Sequence, residues 1–204
     1  MKISNIIVGE LYTNCYIISN NYECIIIDPG AEPGKIIDFL ESMKLTPKLL
    51  ISTHYHADHV GAVKNLIEKY DIQFAIGKND LNFLEAQPTW LSNLISTYEK
   101  PTSPDILLLG GETINVLGLD IKIISTPGHS PGSISIYIEN SIFTGDILFK
   151  NGIGRVDLPG GDINQEISSI KDIIFKLPNE IDVYPGHGEK TKIICEKNDN
   201  IHLK

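Results

Sequence analysis

The sequence predicts a layered α+β or α/β domain in which helices cover sheets, and three observations carry that reading. Short strand-like apolar runs cluster, with helix-spaced segments between them. Each half of the chain supplies its own set of strands, which predicts a pair of packed sheets. No stretch rich in Gly, Ser or Pro divides the 204 residues. That length suits one sizeable core and is short for two, so residues 1–204 read as a single domain.

Residues 3–9, 11–19 and 22–28 read as three strands, the last two joined by the turn residues Asn20 and Asn21. Pro33 opens a helix whose apolar positions Ile36, Ile37, Leu40 and Met43 follow helical spacing. Residues 47–52 form a short buried strand that runs directly into Thr53-His54-Tyr55-His56-Ala57-Asp58-His59. One helix is expected next, with Val60, Val63, Ile67 and Tyr70 on its buried face. A strand at 72–76 and a short helix at 78–85 follow. Residues 86–105 hold Pro88, Trp90, Pro101 and Pro104, and read as a helix-containing, lid-like insertion. In the second half, strands are expected at 112–117, 119–125, 133–139 and 142–144. A Gly-rich loop then covers 151–161. The next helix should bury Ile163, Ile167, Ile170 and Ile174. A last strand at 181–184 ends at Pro185-Gly186-His187-Gly188, and the polar remainder reads as a short helix with a frayed tail.

Hydrophobic content of 42% and charged content of 21% are ordinary for a globular chain. A formal net charge of −9 makes nucleic acid a poor partner, since phosphate binding needs a basic surface. No apolar run is long enough to span a membrane, and the first residues lack the pattern of a signal peptide, so a cytoplasmic protein with no membrane partner is expected. Of the three cysteines, Cys15 and Cys24 fall in neighbouring strands and read as small buried apolar residues. No C-x-x-C pair occurs, so a disulfide framework is not expected. The oligomeric state is not encoded in any of these features.

Five of the six histidines sit in loops beside strand ends. If the backbone is extended at 54–56, His54 and His56 point to one side and can hold one ion, while Asp58 and His59 turn toward a second as a helix begins. Three imidazoles and a carboxylate in six residues would be costly if buried unpaired. The alternative is a solvated polar loop. His129 in Thr126-Pro127-Gly128-His129-Ser130-Pro131-Gly132, Asp146 after Gly145, and His187 between two glycines are each weak alone, readable as a structural histidine, a turn residue and a loop histidine. Together with residues 54–59 they make a donor set of five His and two Asp that suits zinc, with iron or manganese as alternatives. His202 in the tail reads as solvated. Asp28 reads equally as a turn former before Pro29 or as a residue that orients a histidine, and Thr53 as a second orienting residue.

The order His54-x-His56-x-Asp58-His59, then His129, Asp146 and His187, resembles the metallo-β-lactamase superfamily, and the resemblance covers nearly the whole chain. It implies an αββα sandwich with metals at one edge between two sheets. It also implies that His54, His56 and His129 hold one metal, that Asp58, His59 and His187 hold the other, and that Asp146 bridges them. Gly152 to Asp162 and Asn14-Cys15-Tyr16 are similar to the glyoxalase II-like branch in its short bacterial form. The secreted class B β-lactamases lack that loop. The implied activity is hydrolysis of a small-molecule thioester, such as S-lactoylglutathione, or of an ester. A metal-bridging hydroxide would be the nucleophile, and Asp58 would orient it or take its proton. Arg155 is read as an ion-pair partner of Asp157 or, secondarily, as a contact for a substrate carboxylate. Persulfide dioxygenases share the fold and much of the motif set, and there His54, His129 and Asp146 would hold a single iron.

Overall fold

The computed structural model describes residues 1–204, the side chain of Leu91 excepted. The first half builds one six-stranded sheet from β1 (Lys2–Val8), β2 (Thr13–Asn20), β3 (Glu23–Ile27), β4 (Thr46–Ser52), β5 (Gln73–Gly77) and β6 (Ile106–Leu108), adjacent in that order. The first three pair antiparallel through tight turns, and the last three continue in parallel. Parallel neighbours need crossovers. Here α1 (Pro33–Met43), α2 (Ala57–Val60), α3 (Val63–Tyr70) and α4 (Leu81–Glu85) lie within them.

The second half forms the other six-stranded sheet. Its strands β7 (Thr113–Val116), β8 (Leu119–Ser125), β9 (Ile134–Ile138) and β10 (Ser141–Gly145) meander antiparallel. A two-residue ribbon of β11 (Leu148–Phe149) and β12 (Gly152–Ile153) leads to β13 (Asp182–Pro185), which returns parallel to β10, with β14 (Thr191–Lys192) at the edge.

Alternation along the strands sorts the apolar residues into three layers. Ile17 and Ile26 face α1 and α3, packing with Ile36, Leu40, Val63 and Leu66. Ile18, Ile25 and Ile27 face the second sheet and meet Ile121, Ile123, Ile136 and Phe143. Ile142 and Val183 face away, against Ile170, Ile174 and Ile193. The order is therefore helix, sheet, sheet, helix, as the resemblance implied. Cys15 and Cys24 are buried among these apolar residues, and Tyr184 packs on Phe143 and Tyr16. Among the described residues, no helix is long and apolar enough to cross a membrane.

Three local expectations need correction. The helix after His59 is two helices, because Gly61 abuts the Gly30 carbonyl while Ala62 N–H donates to Pro29 O, which takes the turn out of line. Ile163 is exposed, and α6 (Ile163–Ser168) buries Glu166 instead; the chain then passes through a π-helical turn at Ser169–Ile173 before Ile174 is buried. The tail is tied down rather than frayed. In it α7 (Ile193–Asp199) buries Glu196, whose carboxylate accepts from Asn151 N, Thr191 Oγ1 and Asn200 Nδ2. Strands β6 and β14, which periodicity did not single out, complete the two sheets. Residues 86–105 do contain a helix, α5 (Thr89–Ser92).

Candidate metal centre

Four strand ends meet at one rim of the sandwich. β4 delivers His54 to His59, β8 leads to His129, β10 ends at Asp146 and β13 ends at His187. The pairing of β10 with β13 shifts register between Phe143 and Gly145, and Gly145 has φ 53°, which turns Asp146 off the strand line. A side chain at Gly145 would overlap Thr53 Oγ1. All seven residues singled out in the sequence converge here.

His129 Nε2 lies 3.2 Å from His54 Nε2 and 2.8 Å from His56 Nδ1. The far sides of the rings fix where the protons are. His129 Nδ1 is 2.7 Å from Arg155 O, a pure acceptor, so Nδ1 carries the hydrogen. Thr53 Oγ1 donates to Asp28 Oδ2 at 2.9 Å and therefore accepts from His54 Nδ1 at 3.1 Å. Both Nε2 atoms thus present bare lone pairs at 3.2 Å, an arrangement that repels unless a cation lies between them. Burial drives the His54, His56 and His129 pKa values down, His56 to about 3, so the rings are neutral and ready to ligate.

The second group sets two carboxylates against two imidazoles. His187 Nε2 lies 3.1 Å from Asp58 Oδ2, and His59 Nε2 lies 3.4 Å from both Asp58 Oδ2 and Asp146 Oδ1. Burial opposes ionisation of the two carboxyls, yet His59 and His187 outweigh it and hold Asp58 at about 2 and Asp146 well below the usual range. Burial likewise opposes charge on the two rings, and the carboxylates reverse it, raising His187 to about 10 and His59 well above the normal histidine value. Such a site draws positive charge to itself. Asp146 touches both groups, with Oδ2 at 3.4 Å from His187 Nε2 and 3.7 Å from His129 Nε2.

The donor set fits a pair of cations on these grounds. Three subsets bring their donor atoms within 4.8 Å of one another: His54, His56 and His129; His54, His59 and Asp146; and Asp58, His59 and His187. His59 Nε2 and Asp146 Oδ1 are buried with no hydrogen-bond partner, a cost that ligation removes. No cysteine joins the group.

Surrounding residues hold the ligands. Asp28 is both things the sequence allowed: it sits at φ 54°, and its carboxylate accepts from Thr53 N and Oγ1 while Oδ2 lies 3.0 Å from His59 Nδ1. His187 Nδ1 donates to Leu11 O, and Asn14 Nδ2 donates to Pro185 O and Gly188 O, clasping the His187 turn to the start of β2. Thr13 Oγ1 donates to Asp58 Oδ2. Arg155 pairs with Asp157 through two bonds of 2.7 Å, so its main-chain carbonyl rather than its guanidinium serves His129. His202 lies exposed in the tail.

Two buried carboxyls beside the centre escaped the sequence reading. Asp80 accepts from Tyr55 N, Ser130 Oγ and Gly132 N, joining the His54–His56 loop to the His129 loop. Glu166 packs against Gly128 and Gly154, and burial raises its pKa to about 8. A lone acid inside a helical segment gives no local signal of either role.

A family model described as the metallo-beta-lactamase superfamily matches residues 8–187. Among curated proteins, the chain is 35% identical to the probable metallo-hydrolase YqgX of Bacillus subtilis (100% of this chain, 98% of that one). It is also 35% identical to the hydroxyacylglutathione hydrolase GloC of Haemophilus influenzae (100% and 98%). Among solved structures it resembles BLEG-1 B3 metallo-beta-lactamase at TM-score 0.91 and 32% identity, covering all of both chains. TTHA1623, solved in a di-iron-bound form, gives 0.88 and 34% over 98% of this chain and 100% of that one. ETHE1 from Myxococcus xanthus gives 0.84 and 27% over 98% and 84%. With a rim of converging His and Asp donors on a four-layer sandwich, and a family match over most of its length, this chain belongs to the metallo-β-lactamase superfamily.

Proposed function

We propose that this chain is a binuclear metallohydrolase that cleaves a small-molecule thioester, with S-lactoylglutathione or a related hydroxyacyl thioester as the starting substrate class. Its family and its metallo-hydrolase relatives make it a metal-dependent hydrolase. The observation that carries the binuclear reading is the Asp146 carboxylate, which reaches His129 with Oδ2 and His59 with Oδ1, one from each donor group. His54, His56 and His129 would hold one ion, Asp58, His59 and His187 the other, and Asp146 both. Zinc suits these donors, and iron is the competitor because the similar TTHA1623 was solved with two irons. Divalent cations held there supply Lewis acidity, lowering the pKa of water toward neutrality and polarising a carbonyl.

The chain's own residues do the rest. Asp58 Oδ2 is engaged by Thr13 Oγ1 and His187 Nε2, which leaves Oδ1 to accept a proton of the attacking water and fix its direction. Ionisation of Asp58 down to about pH 2 keeps that acceptor available across the working range. Asp28 and the Arg155 and Leu11 carbonyls hold their histidines in one ring orientation, so the donor geometry is set before substrate arrives. A thiolate leaves readily without a protein acid. The likeness to a B3 β-lactamase makes amide hydrolysis a control worth running.

A second reading, a one-iron dioxygenase, has support in the approach of His54 Nε2 and Asp146 Oδ2 to His129 Nε2, at 3.2 and 3.7 Å. Metal stoichiometry and turnover measured on one sample separate the readings. About two ions per chain with thioester cleavage is expected, and Asp146→Ala should lose both metal and turnover. One iron, oxygen uptake with a persulfide and no thioester cleavage would sink the hydrolase reading. Nitrocefin hydrolysis without thioester cleavage would also sink the thioester assignment.

A further inference from the structure

The cavity above the donor cluster encloses about 470 Å³. Its floor is polar: His56, Asp58, His129, Asp146 and His187. Its walls are not. Leu11, Trp90, Leu94, Phe149, Ile153 and Leu158 also line the cavity. Trp90 and Leu94 come from the segment around α5, which the sequence reading left without a role. Trp90 is 55% exposed and Leu94 45%. An apolar rim left in water around a polar floor is the surface a ligand covers.

Charge around the rim points the same way. Among the described residues that line the cavity, Arg155 is the one Lys or Arg, and its Nε and Nη2 donate to Asp157. Lys150, next to Phe149, is bound to Glu189 at 2.6 Å. Glutathione carries two carboxylates, and the cavity lining offers them a single cation, one already paired with Asp157.

We infer that the substrate is an uncharged thioester with an apolar arm, such as a medium-chain or aryl acyl group on a neutral thiol, seated against the Trp90 and Phe149 side chains that line the cavity. This rests on the thioester reading above and, within it, puts an apolar acyl thioester in place of S-lactoylglutathione as the preferred substrate. Each methylene laid against such walls adds several-fold to kcat/KM.

The test compares S-lactoylglutathione with acetyl, hexanoyl and phenylacetyl thioesters of N-acetylcysteamine on the metal-loaded protein. The hexanoyl and phenylacetyl esters should exceed both the acetyl ester and S-lactoylglutathione in kcat/KM by about tenfold or more. Trp90→Ala should lower the hexanoyl-to-acetyl ratio about tenfold, mainly through KM. S-lactoylglutathione turned over as well as the hexanoyl ester, or a ratio indifferent to Trp90→Ala, overturns the inference and leaves the thioesterase reading intact. Calorimetry with S-hexyl-N-acetylcysteamine and S-methylglutathione gives a readout free of catalysis. Tighter binding of the hexyl ligand with no thioester hydrolysed would support the apolar site while removing the thioesterase reading; tighter binding of S-methylglutathione overturns the apolar site.

Discussion

Asp80 offers the sharpest test of how the centre is held. Its side chain is fully buried, and its two oxygens meet three donors: Gly132 N at 2.6 Å on Oδ1, and Ser130 Oγ at 2.7 Å and Tyr55 N at 3.0 Å on Oδ2. Tyr55 lies between His54 and His56, and Ser130 follows His129, so one carboxylate ties together the two loops that form the first donor group. Burial raises its pKa to about 6, against the three hydrogen bonds, so it is ionised at pH 7.5. Asp80→Asn keeps the shape but turns one oxygen into a donor. Whichever way the amide is turned, its NH2 meets a backbone N–H that cannot accept, Gly132 N on one side or Tyr55 N on the other, while only the Ser130 hydroxyl can reverse its role. Hydrogen bonds to a charged group are worth about 1.5–3 kcal/mol, and an orphaned buried donor costs about 1–3 kcal/mol, so a loss of about 3 kcal/mol is expected. With a urea m-value of about 2 kcal/mol/M, the midpoint falls by about 1.5 M. The loss should extend to the metal, because the His129 loop is no longer fixed against the His54 loop. After dialysis against a weak chelator, the variant should retain less metal than the parent. An unchanged urea midpoint together with unchanged metal retention would refute the role given to Asp80.

Glu166→Gln tests a buried carboxyl with no hydrogen-bond partner on either oxygen. Burial lifts the folded pKa from 4.5 to about 8, so the folded protein holds a proton the unfolded chain gives up. The contribution is complete below about pH 4.5 and is lost as pH rises through about 8. The variant should therefore melt above the parent at pH 9, by an amount reflecting about 1–3 kcal/mol, and show no such advantage at pH 4.5; equal melting differences at both pH values would count against this. Gly186→Ala puts a methyl onto Asp146 Oδ1 and 2.7 Å from His59 Cε1, on a backbone pinned by Asn14 N and Gly145 O. Metal affinity should drop at least about tenfold while the far-ultraviolet circular dichroism stays unchanged, and a metal titration matching the parent's would show that the turn has room after all.

What the sequence disclosed and what it withheld follow from the range of the signals. Residues 54–59 were readable because four metal-ligating side chains lie within six positions, next to a strand whose end periodicity could place. His129, Asp146 and His187 were readable as candidate ligands only through their order along the chain, since each alone has an ordinary turn explanation. Glu166 was hidden by its neighbours. Isoleucines at 163, 167, 170 and 174 suggested one apolar stripe, but Asp162 caps the helix through Asn164 N and Gln165 N, and the π turn at Ser169–Ile173 rotates the stripe. Ile170 and Ile174 reach the core, while Ile163 faces water. Asp80 was invisible for another reason: its three donors come from residues 25, 50 and 52 positions away.

The same distance effect explains why the centre does more than hold metal. Its ligands come from strand ends in both sheets, and Thr13 of the first sheet bridges to His187 of the second. Asn14 N donates to Gly186 O at 2.7 Å, and Tyr16 Oη to Pro185 O at 2.7 Å. The sheets are therefore stitched together beside the donors by bonds that need no ion. With those bonds already fixing His187 and Asp58, ion binding has little chain left to order, and the unfavourable pairing of His54 and His129 lone pairs is the part it relieves. Metal binding should thus stabilise the His54–His129 loops more than the His187 turn. Hydrogen exchange with and without metal reads this directly: new protection is expected at Tyr55 N and Ser130 N, with little change at Gly186 N, whose donation to Gly145 O at 2.8 Å does not depend on an ion. Equal new protection across these loops and the His187 turn would mean that the rim is ordered by the metal as a whole and not by the protein's own bonds.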